Sequence, residues 1–312
     1  MKNKQFKNLD EQIEIFRSKG LIINDVGYAK RVLLRENYFF LTGYRHVFMK
    51  SDNPHEYIEG TTFEELYSLF IFDRQFRNLI FKNLLIIENN TKSIISYQLS
   101  KKYGYKENEY LKAVNFDTSR EKEHQVEDLI KKMKRQIRIN GGQHSATQHY
   151  ISNYGYIPLW VLVKVLSFGI VSEFYQILKP EDRKEIAEVY NLTVDDMINY
   201  LPMLANYRNV CAHEDILYEN KTQRTIDNTV YHALLGIKKK DGEYVRGKND
   251  LFALFIILRE MLSTEDMKNL ISEMGSLLEN LEYNLNTITI DKVLDRMGFP
   301  YNWREIANIE KR

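Results

Sequence analysis

The stretch that opens at Thr62 constrains this chain more than any other. Thr62-x-x-Glu65 is a capping box, a hydroxyl and a carboxylate placed to satisfy each other's free backbone N–H groups at a helix start. Phe63, Leu66, Phe70 and Arg74 follow at helical spacing, so a long helix begins there. It continues through Leu84-Leu85-Ile86-Ile87, meets the polar run Glu88-Asn89-Asn90-Thr91-Lys92, and returns to apolar Ile94-Ile95. Four-residue spacing puts Glu88 and Lys92 on one face, with Thr91 beside them. Two readings stand for that pair: an ordinary exposed ion pair, or a polar window in an otherwise buried helix.

The rest of the chain reads as an all-α protein. Asp10 is a candidate N-cap for a short helix carrying Ile13 and Phe16 and stopped by Gly20, and Asp25 starts a second with Ala29, Val32, Leu33 and Glu36. The run Tyr38-Phe39-Phe40-Leu41 is strand or helix by period, its aromatic rings expected in the core rather than on a base-stacking platform. Ser51-Asp52-Asn53-Pro54 marks a turn and the end of an N-terminal helical subdomain, residues 1–55. Pro158-Leu159-Trp160 begins an apolar helix, with Ser167-Phe168-Gly169 inside it for close helix packing. Another helix covers about 181–190. Thr193 or Asp195 caps a segment with Met197, Ile198, Leu201 and Leu204, in which Pro202 should force a kink or a restart. Residues 56–235 thus form the helical core and 236–312 a C-terminal helical region. That last region holds the hairpin signal Lys238-Lys239-Lys240-Asp241-Gly242, a buried helix over Leu251 to Leu262, and a stripe from Met267 to Leu281 that serves the core or a dimer.

Composition narrows the function classes. A net charge of +1 over 312 residues provides no overall basic field, so RNA binding requires a local patch. Lys131, Lys134, Arg135 and Arg138 fall on one helix face and could contact phosphate, although Glu121, Glu123, Glu127 and Asp128 just upstream favour a solvated face. The single cysteine, Cys211, excludes an internal disulfide and a multi-cysteine zinc site and fits a reducing cytosol. His144 and His149 lack metal-ligand spacing and read as loop residues. There is no phosphate-binding loop or dinucleotide fingerprint, so neither cofactor nor metal is expected. The first residues lack the apolar core of a secretion signal, and the longest greasy run, Leu251 to Leu258, is too short to span a bilayer, so a cytoplasmic location and no membrane are expected.

The chemistry concentrates in Arg208-Asn209-Val210-Cys211-Ala212-His213. A guanidinium can grip two oxygens of a phosphodiester whose charge grows in the transition state, and an imidazole can move a proton near neutral pH. Spacing alone carries little, because five residues on a straight helix set the two side chains about 140° apart. They converge only if the Arg folds back, if the segment sits at a frayed helix end, or if a second copy completes the site. The bland reading pairs Arg208 with Glu214 or Asp215 and buries His213.

Arg208-Asn209 with His213 resembles the Arg-x4-His signature of the HEPN ribonuclease superfamily, and the chain is similar to that superfamily's Abi-like, abortive-infection proteins. The likeness extends through Asn37-Tyr38-Phe39, Leu41-Thr42-Gly43-Tyr44, Gly60-Thr61-Thr62-Phe63, Phe72-Asp73-Arg74-Gln75-Phe76-Arg77, Ile87-Glu88 with Lys92, Pro158-Leu159-Trp160, Ser167-Phe168-Gly169 and Met297-Gly298-Phe299-Pro300 with Trp303. It implies a HEPN-like helical bundle with an N-terminal extension and a metal-independent endoribonuclease toxin of anti-phage defence. His213 and Arg208 would be catalytic with Asn209 positioning, and Glu88 and Lys92 supporting. Two chains would share one cleft, and an antitoxin RNA or protein would restrain the activity. Two alternatives remain at this stage: a non-catalytic module that binds RNA or a partner, and a metal-dependent nuclease built on His213-Glu214-Asp215.

Overall fold

The computed structural model describes residues 5–310. Three short helices lead in: α1 (Leu9–Ser18), α2 (Val26–Glu36) and α3 (Tyr38–Thr42), followed by a tight helical turn over Gly43–Phe48. The helix opened by the Thr62 capping box is α4 (Phe63–Tyr103), 41 residues and so about 60 Å long. Residues 61–103 contain neither Gly nor Pro, and Gly104, at φ +88°, ends the run. Then come α5 (Glu107–Tyr110), α6 (Glu123–Asn140), α7 (Ser145–Tyr154), α8 (Leu159–Val165), α9 (Phe168–Ile177), α10 (Pro180–Glu188) and α11 (Val194–Ala212). The chain closes with α12 (Val230–Leu234), a two-stranded hairpin of β1 (Lys239–Lys240) and β2 (Glu243–Tyr244), α13 (Leu251–Met261), α14 (Thr264–Tyr283) and α15 (Ile290–Met297). The all-α expectation is met.

α4 is the spine. α8, α10, α11 and α14 pack along it, and α1 reaches its start, where the Phe16 and Phe63 ring centroids lie 6.0 Å apart. The α14 stripe, Met267, Leu270, Met274 and Leu278, is buried in the common core. Every residue of α13 is buried, as its apolar run implied, including Arg259, which donates to the carbonyls of Ile306 and Ile309. The hairpin turn has Asp241 at φ +53° and Gly242 at +87°, the paired left-handed geometry of a tight two-residue loop. Among the described residues, no helix is long and apolar enough to cross a membrane.

Several local expectations are corrected. α1 is capped by Asn8, whose side chain and that of Glu11 satisfy each other's backbone N–H, and not by Asp10. The Tyr38–Leu41 run is a helix with one buried face; Leu41 fills it, so Phe39 and Phe40 stand in solvent rather than in the core. The apolar helix after Pro158 does not contain Ser167: it ends at Val165, and Ser167 caps a new helix by accepting from Ile170 N. A Cβ added at Gly169 would meet only the Ser167 hydroxyl, at 3.9 Å, so no close packing depends on that glycine. His149 lies within α7, not a loop. Pro202 sits inside α11 without a restart; its missing N–H removes one helix bond while the flanking turns, capped at Thr193 and Asp196, continue.

Glu65 does more than cap. One carboxylate oxygen accepts from Thr62 N, and the other accepts from the backbone of Asn286 and Thr287 at 2.6 and 2.7 Å and from the Thr287 hydroxyl. A residue placed by a local helix-start rule thereby holds the turn between α14 and α15. Losing only the cap in Thr62→Ala should cost about 1 kcal/mol. Glu65→Ala, which also strands two part-buried N–H donors, should cost more, about 2–3 kcal/mol; urea unfolding of both variants checks the difference.

Candidate functional site

α11 carries the Arg208–His213 segment to the surface beside α4. The Arg208 guanidinium lies 5.5 Å from the centre of the Phe81 ring, and its Nε is 3.4 Å from Oε2 of buried Glu88. Glu88 Oε1 accepts a 2.6 Å bond from Lys92 Nζ. Glu88 and Lys92 are buried, so the pair is not an ordinary exposed one, and the Glu88 carboxylate faces Arg208. Neither Arg208 Nε nor Glu88 Oε2 has a hydrogen-bond partner, so their contact is electrostatic only. Among the described residues, the terminal guanidinium nitrogens of Arg208 donate to nothing.

His213 is the C-cap of α11 and is exposed. Its backbone N–H donates to Asn209 O at 2.9 Å, while its ring has no hydrogen bond or ion pair among the described residues. Glu214 follows at φ +57°, a left-handed turn that ends the helix immediately behind the imidazole. Asn209 is exposed one residue after Arg208. His213 thus sits at a helix end, while Arg208 lies within the helix and its contacts are to Glu88 and Phe81 rather than to His213. Glu88 contacts Arg208 and not His213, and Arg208 pairs with neither Glu214 nor Asp215.

What fixes the end of α11 is a residue pair that sequence reasoning quoted without giving it a role. Asp73, fully buried, accepts from Leu217 N at 3.0 Å and Tyr218 N at 2.7 Å, from the Tyr44 hydroxyl at 2.7 Å, and from Arg77. Arg77 also donates to Tyr44 Oη and to the Asp215 carbonyl. Burial pushes the Asp73 carboxyl up, and the Arg77 charge and the two backbone donors pull it back. Asp73 and Arg77 have the same four-residue spacing as Glu88 and Lys92, which is the signal that could have found them. Cys211 faces this cluster, and burial raises its thiol to about 12, so it is no nucleophile.

A cavity of about 690 Å³ opens beside the same loop, between α2, α3 and α4. Phe39, Phe40, Arg45, Arg74, Glu214 and Asp215 line it, and Glu36 holds Arg74 through bonds of 3.1 and 2.5 Å. On α6, Lys131, Lys134, Arg135 and Arg138 are exposed; Lys131 lies 3.6 Å from Glu127 and 3.7 Å from Asp128, and the other three make no ion pair among the described residues.

A family model described as Abi-like protein matches residues 31–219, more than half of the chain. This chain belongs to the Abi-like protein family. No curated protein and no solved structure matches it. Membership suggests a role in abortive infection. The matched span takes in the Glu88–Arg208 contact, the Asp73 cluster and the whole Arg208–His213 segment, whereas α12 to α15 lie beyond it. In this Abi-like protein, removing the anchoring carboxylate should release the end of α11. Asp73→Ala should lower unfolding free energy by about 3–5 kcal/mol, because Arg77 is left buried and unpaired. It should also speed alkylation of Cys211 at pH 8 under native conditions, where the wild-type thiol, pushed up to about 12, reacts only slowly.

Proposed function

We propose that this Abi-like protein is a HEPN-type, metal-independent endoribonuclease, a toxin of an anti-phage abortive-infection system. The observation that carries the reading is the state of its two key side chains. Arg208 is held by one edge, through Phe81 and Glu88, with its terminal nitrogens undirected, and His213 presents an unengaged imidazole at the helix end. A guanidinium fixed in place but open on its outer edge suits a phosphodiester that gains charge as it is attacked. In the reaction the ribose 2′-hydroxyl loses its proton and its oxygen attacks the adjacent phosphorus. The P–O5′ bond breaks, the leaving oxygen takes up a proton, and a 2′,3′-cyclic phosphate and a 5′-hydroxyl remain. His213 handles the proton, Arg208 stabilises the phosphorane-like charge, and Asn209, exposed between them, positions the strand. Glu88 orients Arg208, and Lys92 keeps that carboxylate from cancelling the positive field.

The same openness supports a homodimer. The exposed His213 ring makes no hydrogen bond or ion pair among the described residues, which leaves it accessible to a second copy whose motif would share the cleft. As a cytoplasmic toxin it would be held by an antitoxin RNA or protein until infection.

Purified protein should cut single-stranded RNA in EDTA and leave 2′,3′-cyclic phosphate ends. Arg208→Ala should slow cleavage by roughly 10²–10³-fold, and His213→Ala by roughly 10²–10⁴-fold, with circular dichroism unchanged. Wild-type rates in His213→Ala, or a requirement for added divalent metal, would overturn the mechanism; a tight complex with intact RNA would replace it with a binding role.

A further inference from the structure

Between Asp128 and Glu173 the sequence contains no Asp or Glu, yet it carries Lys131, Lys132, Lys134, Arg135, Arg138 and Lys164. For a chain of net charge +1 this is a concentrated positive tract, and it folds into the contiguous helices α6, α7 and α8. Lys132 is matched by Glu173 at 2.7 Å and Lys131 lies near Glu127, but Lys134, Arg135 and Arg138 are free of internal ion pairs among the described residues.

Within this tract Tyr150, Tyr154, Tyr156 and Trp160 form a row of aromatic rings that Tyr105 joins from the segment after α4. Trp160 and Tyr105 have centroids 5.8 Å apart, Tyr105 and Tyr156 5.6 Å, Tyr156 and Tyr154 6.2 Å, and Tyr154 and Tyr150 5.4 Å. These rings are not core: Tyr154 is 57% exposed, Trp160 44% and Tyr105 40%. Lys106 Nζ sits 5.1 Å from the centre of the Tyr156 ring and 5.9 Å from that of Tyr105, adding a cation to the row. Exposing so many large rings in one place is unfavourable in water unless something covers them. A duplex hides its bases, and a purely apolar protein partner would leave the adjoining cations unmatched. A single strand offers unpaired bases for the rings and phosphates for Lys106, Lys134, Arg135 and Arg138.

We infer that the Tyr105–Tyr156–Tyr154–Trp160 surface, with the basic face of α6, is a platform for single-stranded nucleic acid, separate from the Arg208–His213 segment. Its assignment to RNA rather than DNA rests on the nuclease reading; the stacking surface itself does not. A strand held there would be delivered to the cutting site from a distance, so the platform governs capture rather than chemistry.

The test measures binding of a fluorescent 2′-O-methyl RNA oligomer, which lacks the attacking hydroxyl and stays intact whether or not the protein is a nuclease. The full-length protein should bind it, more weakly as salt rises. Tyr154→Ala and Trp160→Ala should each weaken binding by roughly 5- to 100-fold, Tyr154→Phe should retain it, and Lys134→Glu with Arg138→Glu should weaken it at low salt. A DNA oligomer of the same sequence, bound more weakly, separates the sugar preference from stacking. Equal affinity for duplex and single strand, or alanine variants that are folded by circular dichroism and bind like wild type, would overturn the platform. Because the 2′-O-methyl oligomer cannot be cut, its binding is read independently of any cleavage, so a failed cleavage experiment and a failed platform are told apart.

Discussion

The structure depends on carboxylates buried along one helix. Glu65, Asp73 and Glu88 all sit on α4, and each reaches across to a segment far away in sequence: the turn at Asn286–Thr287, the loop at Leu217–Tyr218, and Arg208. A buried carboxylate is costly unless it is hydrogen-bonded or paired with a cation, so each favours one arrangement of its partner and penalises the rest. Because α4 is unbroken over its length, the three attachments are held in fixed register. Asp73 and Glu88 are 15 positions apart, about 60° around the helix and about 22 Å along it, so α11 can lie against both.

This division of labour separates the residues that hold the fold from the two proposed to react. Asp73, Arg77 and Tyr44 satisfy one another and the backbone after α11, and are buried. Arg208 and His213, a few residues away, are left partly or wholly exposed. A helix end is a poor place to hold two side chains unless the chain beyond it is pinned, and here it is pinned by the Asp73 carboxylate rather than by packing of the motif itself.

Much of this was legible in the sequence where a local rule applied. The Thr62–Glu65 box announced α4, and an acid and a base four residues apart after an apolar run raised the Glu88–Lys92 window as one of two readings. The same pattern at Asp73 and Arg77 passed without a role because flanking aromatics dominate that stretch, and nothing local says that its partner is the backbone of residues 217–218. Phe39 and Phe40 were expected inside on the strength of their hydrophobicity; a five-residue helix has room to bury only Leu41. Ser167 was read as interior to a helix because the apolar run crosses it, although a serine hydroxyl is also a natural cap. The aromatic row was only partly legible: Tyr150, Tyr154, Tyr156 and Trp160 stand close together in the sequence, but only the fold brings Tyr105 beside them.

The Glu88–Arg208 contact, close in charge but without a hydrogen bond, has a consequence for any anion that reaches the guanidinium. Its guanidinium is electrically compensated in the resting protein yet keeps its directional valence open. An arriving anion need displace no internal acceptor, and a departing one leaves no broken bond to be remade, so the site can fill and empty with little rearrangement around it.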